Sequence, residues 1–295
     1  MNIPVIDTTD LTKFYGNVMG IEHINLEIGE GEIFGFIGPN GAGKSTTIRI
    51  LLNLIFPTRG SARIMGMDVI RETKKIMSQV GYIPSDANTY SVMKVHEFLS
   101  YCYRFYKLQN EEHRIAELSK WFELDPDRKI ADLSMGNRKK VSIVQSLLHR
   151  PKLLIVDEPT TGLDPLMQAR FFELLHSENR NGMTIFYSSH ILSEVQTLCK
   201  RIAIIKEGKI IRLEDIDDLR RKQLKKVSID YEDKLDDENF SIPGIESKIS
   251  GFGNNLSFMF SGNINELVSF LATRKISNLS IEEPSLEEIF MHYYN

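Results

Sequence analysis

The sequence predicts an α/β fold with a mainly parallel sheet, followed by a smaller α+β domain. Short apolar runs alternate with helical patterns along most of the chain, and one glycine-rich turn joins such a run to a helix. This alternation favours a parallel sheet, because each crossover helix returns the chain to the same sheet edge. It stops near residue 215. We therefore expect two domains, residues 1–214 and 215–295.

Length, charge and cysteine usage limit the possible classes of protein. The chain has 295 residues, enough for a substantial core, and a net charge of −4 without a block of like charge. A negative net charge without a basic block does not attract the phosphate backbone of nucleic acid, so we expect no nucleic-acid partner. The two cysteines, Cys102 and Cys199, lie far apart and favour a reduced cytosolic compartment. No run approaches the roughly 18 apolar residues needed to span a bilayer.

The glycine-rich turn has the P-loop spacing G-x-x-x-x-G-K-[ST]. It follows the apolar run 32–37 and opens onto the helical run 47–52. Its glycines allow successive backbone N–H groups to face one anion, and the helix start adds its positive dipole end. Lys44 would reach the outer phosphates and Ser45 would hold Mg²⁺. The predicted ATP-binding residues are Gly38, Pro39, Asn40, Gly41, Ala42, Gly43, Lys44, Ser45 and Thr46.

A second signal is an acidic pair at the end of an apolar strand. The run 153–156 is fully apolar, as in strands buried on both faces, and Asp157 and Glu158 follow it directly. In P-loop proteins such a strand end lies beside the phosphate loop, where Asp157 can orient Mg²⁺. Glu158 is then placed to polarise an attacking water. Solvated acids at a strand end are the alternative.

The remaining patterns complete the first domain. We expect strands at 5–8, 24–28, 61–67, 80–84 and 183–188, a hairpin over 201–212, and helices over 94–109, 110–124, 134–149 and 165–182. The helix over 94–109 carries Phe98, Tyr101, Tyr103, Phe105 and Tyr106. Such a stripe is usually core, but these aromatics exceed what one buried face needs. They therefore predict a docking surface for a partner helix.

The second domain shows no recognisable chemistry. After a charged helix or linker over 215–226, we expect strands at 226–231, 246–249, 256–260 and 276–281. Asn263 begins a helix with Glu266 three residues later, and 284–294 has the pattern of a final amphipathic helix. Regulation, dimerisation and protection of a sheet edge all remain open as roles.

Three further motifs connect these signals to a known family. They are Leu133–Asn137, Gly162–Pro165 and Ser188–His190. With the P-loop and the acidic pair, in this order over residues 5–212, the chain resembles the ATP-binding subunit of an ABC transporter. The resemblance implies a RecA-like core, an antiparallel β subdomain and a helical subdomain at about 88–150. It also implies two cassettes that meet head to tail with two ATP molecules between them.

Roles within the chain follow from this resemblance. Tyr15, before Gly16, matches the aromatic residue that stacks on adenine. His190 matches the switch histidine that holds the γ-phosphate and the attacking water, and Glu158 matches the general base. Lys44 keeps its phosphate role. The implied cofactors are ATP and Mg²⁺, and the implied reaction is ATP hydrolysis.

Other roles concern a second ATP-binding subunit, either an identical copy or a paralogue. Ser134 and Gly136 match the signature positions that contact the γ-phosphate of the opposite protomer's ATP, and Asp164 matches the loop that signals between the two sites. The signature departs from the family pattern at Met135, where a glycine is usual. Ser85 stands where the family has a glutamine that touches Mg²⁺ and the membrane partner. Ser85 is the candidate replacement ligand, with Asp86 as the alternative.

A segment near residue 290 indicates which branch of the family the chain resembles. The segment 283–290 is similar to cassettes that pair with ABC-2-type membrane subunits and export drugs, antibiotics or peptides. This implies a separate integral-membrane permease that docks near Ser85 and the helix 95–106, and a peripheral position at the cytoplasmic face of the cell membrane. The alternatives are a soluble ABC-type ATPase acting on ribosomes or DNA, and a non-hydrolysing ATP-binding regulatory module.

Overall fold

The computed structural model of the chain divides into two compact units, Met1–Glu214 and Asp215–Asn295. The structure describes residues 3–86, 92–106, 111–216, 225–231, 242–252, 255–282 and 284. Four expectations fall partly outside this range: the end of the helix predicted at 94–109, the first residue of the helix predicted at 110–124, most of the linker predicted at 215–226, and all but residue 284 of the final helix predicted at 284–294.

The described elements of the first unit follow the predicted alternation of strands and helices. They are β1 (Ile6–Tyr15), β2 (Val18–Ile28), β3 (Ile33–Ile37), α1 (Lys44–Leu51), β4 (Arg59–Ile64), β5 (Met67–Asp68), α2 (Thr73–Met77), β6 (Val80–Ile83), α3 (Val95–Arg104), α4 (Glu111–Trp121), a 3-10 turn (Ile130–Asp132), α5 (Met135–Leu147), β7 (Leu153–Asp157), α6 (Pro165–Arg180), β8 (Thr184–Ser189), α7 (Leu192–Leu198), β9 (Arg201–Lys206) and β10 (Lys209–Asp215). The short helices α2 and α7 were not expected from the sequence.

The six-stranded sheet of the first unit has the order β10-β9-β3-β8-β7-β6. Strands β9, β3, β8, β7 and β6 pair in parallel, which confirms the predicted fold class. Every residue of β3, β7 and β8 is buried. Strands covered on both faces are apolar at successive positions rather than at alternate ones. The carboxyl ends of these three strands therefore lie side by side at one sheet edge.

A second sheet packs against the first through a shared core. It is antiparallel and has the order β2-β1-β4-β5. Inward residues of β1 and β2 such as Ile6, Leu11 and Ile24 are fully buried, and they share one hydrophobic cluster with Phe34 and Phe36 of β3. The β1–β2 hairpin closes at Gly16, whose positive φ of 60° suits glycine.

Helices α3, α4 and α5 form the helical part of the first unit. Helix α3 begins where the Glu97 carboxylate accepts the backbone N–H of Lys94 at 3.0 Å. Phe98 and Tyr103 are buried. Tyr101 and Phe105 are 44% and 68% exposed, and their rings meet edge to face with centroids 5.0 Å apart. The aromatic residues of this helix therefore divide between the core and the surface.

The second unit is a four-stranded antiparallel sheet with one helix. Its described elements are β11 (Lys225–Tyr231), β12 (Ile245–Phe252), β13 (Asn255–Phe260), α8 (Ile264–Leu271) and β14 (Ile276–Glu282), with the sheet order β12-β13-β11-β14. The Asn263 side chain caps α8 by accepting the N–H of Asn265 at 2.9 Å. Val227, Phe258 and Leu267 are fully buried in the core of this unit. Over the described part of the whole chain, no helix has the length and apolar character needed to cross a membrane.

One buried histidine makes the stability of the first unit depend on pH. His149 follows α5, its ring stacks on Tyr106 at a centroid distance of 3.9 Å, and its Nε2 lies 3.1 Å from the carbonyl oxygen of Val80. Burial lowers the pKa of His149 from its ordinary value of 6.5 to about 4. The unfolded chain therefore binds a proton at a higher pH than the folded chain. The free energy of unfolding must fall as the pH decreases from above 6.5 towards 4.

We expect His149→Phe to remove this pH dependence. Between about pH 7.5 and about pH 5 the wild type should lose about 2 kcal/mol more unfolding free energy than the variant, because only the wild type must protonate a buried imidazole on unfolding. Urea unfolding of the first unit at both pH values measures the difference. His96→Phe, at an exposed histidine of α3, is the control. Equal losses in the wild type and in His149→Phe would contradict the lowered pKa.

Candidate functional site

The loop between β3 and α1 is built so that only glycine fits at several positions. A Cβ on Gly38 would lie 2.3 Å from the carbonyl oxygen of Ile205, and one on Gly43 would lie 2.6 Å from the Ile21 side chain. Gly41 and Gly43 also have φ values of 81° and 110°. No side chain caps the start of α1. Its first backbone N–H groups can therefore bind an anion.

Lys44 lies at the centre of this loop. Its side chain is 4% exposed, and its Nζ donates to the carbonyl oxygens of Gly38 at 2.7 Å and Pro39 at 3.0 Å. The same Nζ forms an ion pair with Glu158 Oε1 at 3.2 Å. The ammonium group is thus fixed between the phosphate loop and the end of β7. It supplies a positive charge at the position where the loop would hold phosphates.

Ser45 and Asp157 form a pair of hard oxygen donors next to Lys44. The Ser45 hydroxyl donates to Asp157 Oδ2 at 2.9 Å, and the Ser188 hydroxyl donates to Oδ1 at 3.3 Å. Burial raises the pKa of Asp157, with Glu158 as a further raising charge, while the bonds from Ser45 and Ser188 oppose the shift. A hydroxyl and a carboxylate are ligands that Mg²⁺ takes alongside phosphate oxygens, so these residues fit that ion.

Glu158 connects the loop to the end of β8. Its Oε1 contacts Lys44, and its Oε2 lies 3.3 Å from Nδ1 of His190. The side chains of Glu158 and His190 are 21% and 40% exposed. Glu158 has a positive φ of 47°, which is rare for a residue with a Cβ, and its N–H donates to Ser188 O at 3.0 Å. The carboxylate is therefore accessible to water and held between two cationic or polar groups.

The predicted signature residues form a separate cluster. Ser134 caps α5 by accepting the N–H of Asn137 at 3.3 Å. A Cβ on Gly136 would lie 2.5 Å from Gly162 O, so this helix start packs directly against the loop that leads to Asp164. Asp164 caps α6 by accepting the N–H of Met167 at 3.0 Å. Among the described contacts, none joins this cluster to the phosphate loop of the same chain.

Two other predicted residues have less direct support from the contacts. Tyr15 is 46% exposed, with its ring beside Gly20 and under Lys13 Nζ at 5.3 Å from the ring centroid. Ser85 follows β6, and its carbonyl oxygen accepts a bond from Lys139 Nζ at 2.8 Å. In the described part of the chain, no hydrogen bond joins the Ser85 side chain to Ser45 or Asp157.

Sequence reasoning missed Glu194 in α7. This carboxylate is buried, and it accepts hydroxyl bonds from Thr160, from Tyr187 at 3.0 Å and from Ser189 at 2.7 Å. Thr160 follows Glu158 by two positions, and Ser189 precedes His190. Glu194 therefore fixes the segment after β7 to the segment after β8. An acidic residue in the first turn after His190 was the only signal in the sequence.

Comparison with known proteins agrees with this geometry. Residues 21–161 match the family described as ABC transporter, and residues 215–294 match the C-terminal domain of DrrA1-3-like ATP-binding proteins. The bacitracin transport ATP-binding protein BcrA of Bacillus licheniformis is 35% identical over 97% of this chain and 96% of its own length. The linearmycin resistance ATP-binding protein LnrL of Bacillus subtilis is 35% identical over 71% of this chain and 68% of its own length.

Solved structures agree as well. An ATP-binding subunit of an ABC transporter is 32% identical, with a TM-score of 0.70 over 74% of this chain and 92% of that chain. The ATP-binding cassette MJ0796, a dimer in a post-hydrolysis state with ADP and Pi, is 27% identical, with a TM-score of 0.67 over 72% of this chain and 98% of that chain. These matches confirm the predictions of a nucleotide-binding fold and of an ATPase. The chain belongs to the family of ABC transporter ATP-binding subunits.

Proposed function

We propose that this chain hydrolyses Mg-ATP and thereby drives a separate integral-membrane permease that exports antibiotics, other drugs or antimicrobial and amphipathic peptides. The observation that carries the catalytic part is the contact of one carboxylate, Glu158, with both Lys44 at 3.2 Å and His190 at 3.3 Å. This contact supports a site in which Lys44 binds phosphate, Glu158 positions water and His190 acts as the switch histidine.

Binding of the nucleotide rests on the loop and on Lys44. The N–H groups at the start of α1 and the Lys44 ammonium provide positive charge for the β- and γ-phosphates. The exposed part of the Tyr15 ring provides an apolar face for adenine. Ser45 and Asp157 would hold Mg²⁺, with Ser85 as a further oxygen donor. When bound there, Mg²⁺ would neutralise part of the negative charge that develops on the phosphates.

Hydrolysis then depends mainly on placement of the attacking water. Phosphoryl transfer requires little covalent chemistry from the protein, so a carboxylate acts chiefly by orienting the water in line. Glu158 has an accessible carboxylate for this purpose. His190, whose ring reaches the other carboxylate oxygen, would hold both the water and the γ-phosphate.

A second cassette would complete the site. Ser134 and Gly136 begin a helix whose neighbouring residue Met135 is 63% exposed, so this helix start is open to another protomer. Its N–H groups suit a phosphate. Asp164 lies on the loop that packs under Gly136, and this contact supports a role in communication between the two sites. The second subunit is an identical copy or a paralogue.

The names of two relatives support the proposed cargo, and an exposed pair of aromatic side chains supports the proposed docking of a permease. BcrA and LnrL carry names that refer to bacitracin transport and linearmycin resistance. Tyr101 of α3 and Phe105, directly after it, present apolar rings to solvent, and the loop at Ser85 is the second part of the proposed docking surface for permease helices. The chain would then lie at the cytoplasmic face of the cell membrane as a peripheral subunit.

We expect Glu158→Gln to lower ATP turnover by at least about a hundredfold, because the neutral amide has no negative charge to polarise the attacking water and cannot accept its proton. The same variant should accumulate as an ATP-bound dimer, whereas the wild type should not. Turnover assays and mass measurements in Mg-ATP test both points. Glu173→Gln, the same change at an exposed position of α6, should behave as the wild type. A Glu158→Gln chain that hydrolyses at the wild-type rate would overturn the assignment.

We expect the chain, produced together with its permease in a sensitive bacterium, to raise the inhibitory concentration of bacitracin or linearmycin. Glu158→Gln should abolish the protection, because export requires hydrolysis, and Glu173→Gln should retain it. Growth inhibition assays measure the effect. If Glu158→Gln still protects the cells, resistance does not require ATP hydrolysis at Glu158, and this part of the proposal is wrong. If the wild type protects against neither compound, these two cargo assignments fail.

A further inference from the structure

A buried lysine of α5 lies between the Ser85 loop and the catalytic strand end. Lys139 is 1% exposed, and its Nζ donates to the carbonyl oxygens of Pro84 at 2.7 Å, Ser85 at 2.8 Å and Glu158 at 3.2 Å. A lysine ammonium has three protons to donate. All three are therefore used on backbone carbonyls of two loops that are distant in sequence.

This arrangement differs from ordinary core packing. Burial of an ammonium without a contacting carboxylate is unfavourable, and an apolar side chain of similar volume would avoid that cost. Burial accordingly lowers the pKa of Lys139 to about 8, while the charges of Asp157, Asp86 and Glu158 oppose the shift. A methionine or leucine at this position would avoid the burial of charge but would leave the three carbonyl oxygens without this donor.

The third acceptor is the backbone of the residue on which hydrolysis depends. Glu158 adopts a left-handed conformation with φ of 47°, which a residue with a Cβ holds only when its surroundings fix it. Its peptide groups are fixed on both sides: the N–H donates to Ser188 O, and the carbonyl oxygen accepts from Lys139. This backbone conformation determines where the carboxylate lies relative to Lys44 and His190.

We infer that Lys139 is a positioning residue that links the Pro84–Ser85 loop to the backbone of Glu158, so that movement of this loop displaces the Glu158 carboxylate. The inference rests on the proposed role of Glu158 in hydrolysis. In this inference, the loop is connected to the site by the hydrogen bonds from Lys139 to the backbone carbonyl oxygens of Ser85 and Glu158. Because these acceptors are backbone atoms, the connection does not depend on which side chain stands at position 85. Lys139 itself contacts neither Lys44 nor the phosphate loop in the described hydrogen bonds.

Lys139→Met tests the inference, because methionine fills the same volume without donors. Turnover should fall on the order of tenfold to a hundredfold, as expected when a catalytic group is displaced. Equilibrium binding of ATP should remain unchanged, since the phosphate loop is not touched. Lys139→Gln, which keeps two donors, should retain more turnover than Lys139→Met. Lys75→Met, at a 73% exposed lysine, controls for the loss of one charge.

The remaining outcomes separate this inference from a purely structural role. If Lys139→Met and Lys139→Gln lose ATP binding and thermal stability in proportion to turnover, Lys139 only stabilises the fold and the inference fails. If both variants turn over ATP as the wild type does, it also fails. Glu158→Gln is measured in the same series. Wild-type turnover in Glu158→Gln would overturn the proposed function itself, whereas an inactive Glu158→Gln beside a fully active Lys139→Met would overturn only the role of Lys139.

Discussion

The ion pair between Lys44 and Glu158 depends on the register of the parallel sheet. Asp157 lies opposite Ser188, and Ile37 lies opposite Ser189, so the ends of β7, β8 and β3 are level. Ser188 of β8 binds both acidic residues at the end of β7, because its carbonyl oxygen accepts from the N–H of Glu158 and its hydroxyl donates to Asp157. A slip of one residue in either pairing would exchange the inward and outward faces of a strand and separate these groups.

Two buried polar side chains hold the loops that follow these strands. Glu194 accepts hydrogen bonds from three hydroxyl groups, and Lys139 donates to three carbonyl oxygens, so both side chains are hydrogen-bonded where they are buried. Removal of a partner from such a side chain leaves a buried polar atom unsatisfied, which costs more free energy than the bond itself contributes. The segments around Glu158 and His190 are therefore fixed by neighbours rather than by their own backbone preferences.

Most of the fold and the proposed catalytic residues could be predicted from local sequence patterns and the family resemblance. The P-loop spacing and the apolar strand before Asp157 each depend on a few consecutive residues, and the resemblance added His190. Helices α2 and α7 span five and seven residues, too short for a helical period to be recognised. The burial of Lys139 could not be predicted, because its carbonyl partners Pro84 and Ser85 are 55 and 54 residues away in the sequence.

The two departures from the family pattern have different structural consequences. Gly136 cannot carry a side chain, because its Cβ would lie 2.5 Å from Gly162 O, a backbone atom that cannot move aside like a flexible chain. Met135, by contrast, points largely into solvent, and its flexible end rests against Gly162. Replacement of the first signature glycine therefore preserves the loop contact that the second one requires. At Ser85 the described contact comes from the backbone carbonyl, so the loss of the glutamine side chain leaves the connection to Glu158 intact.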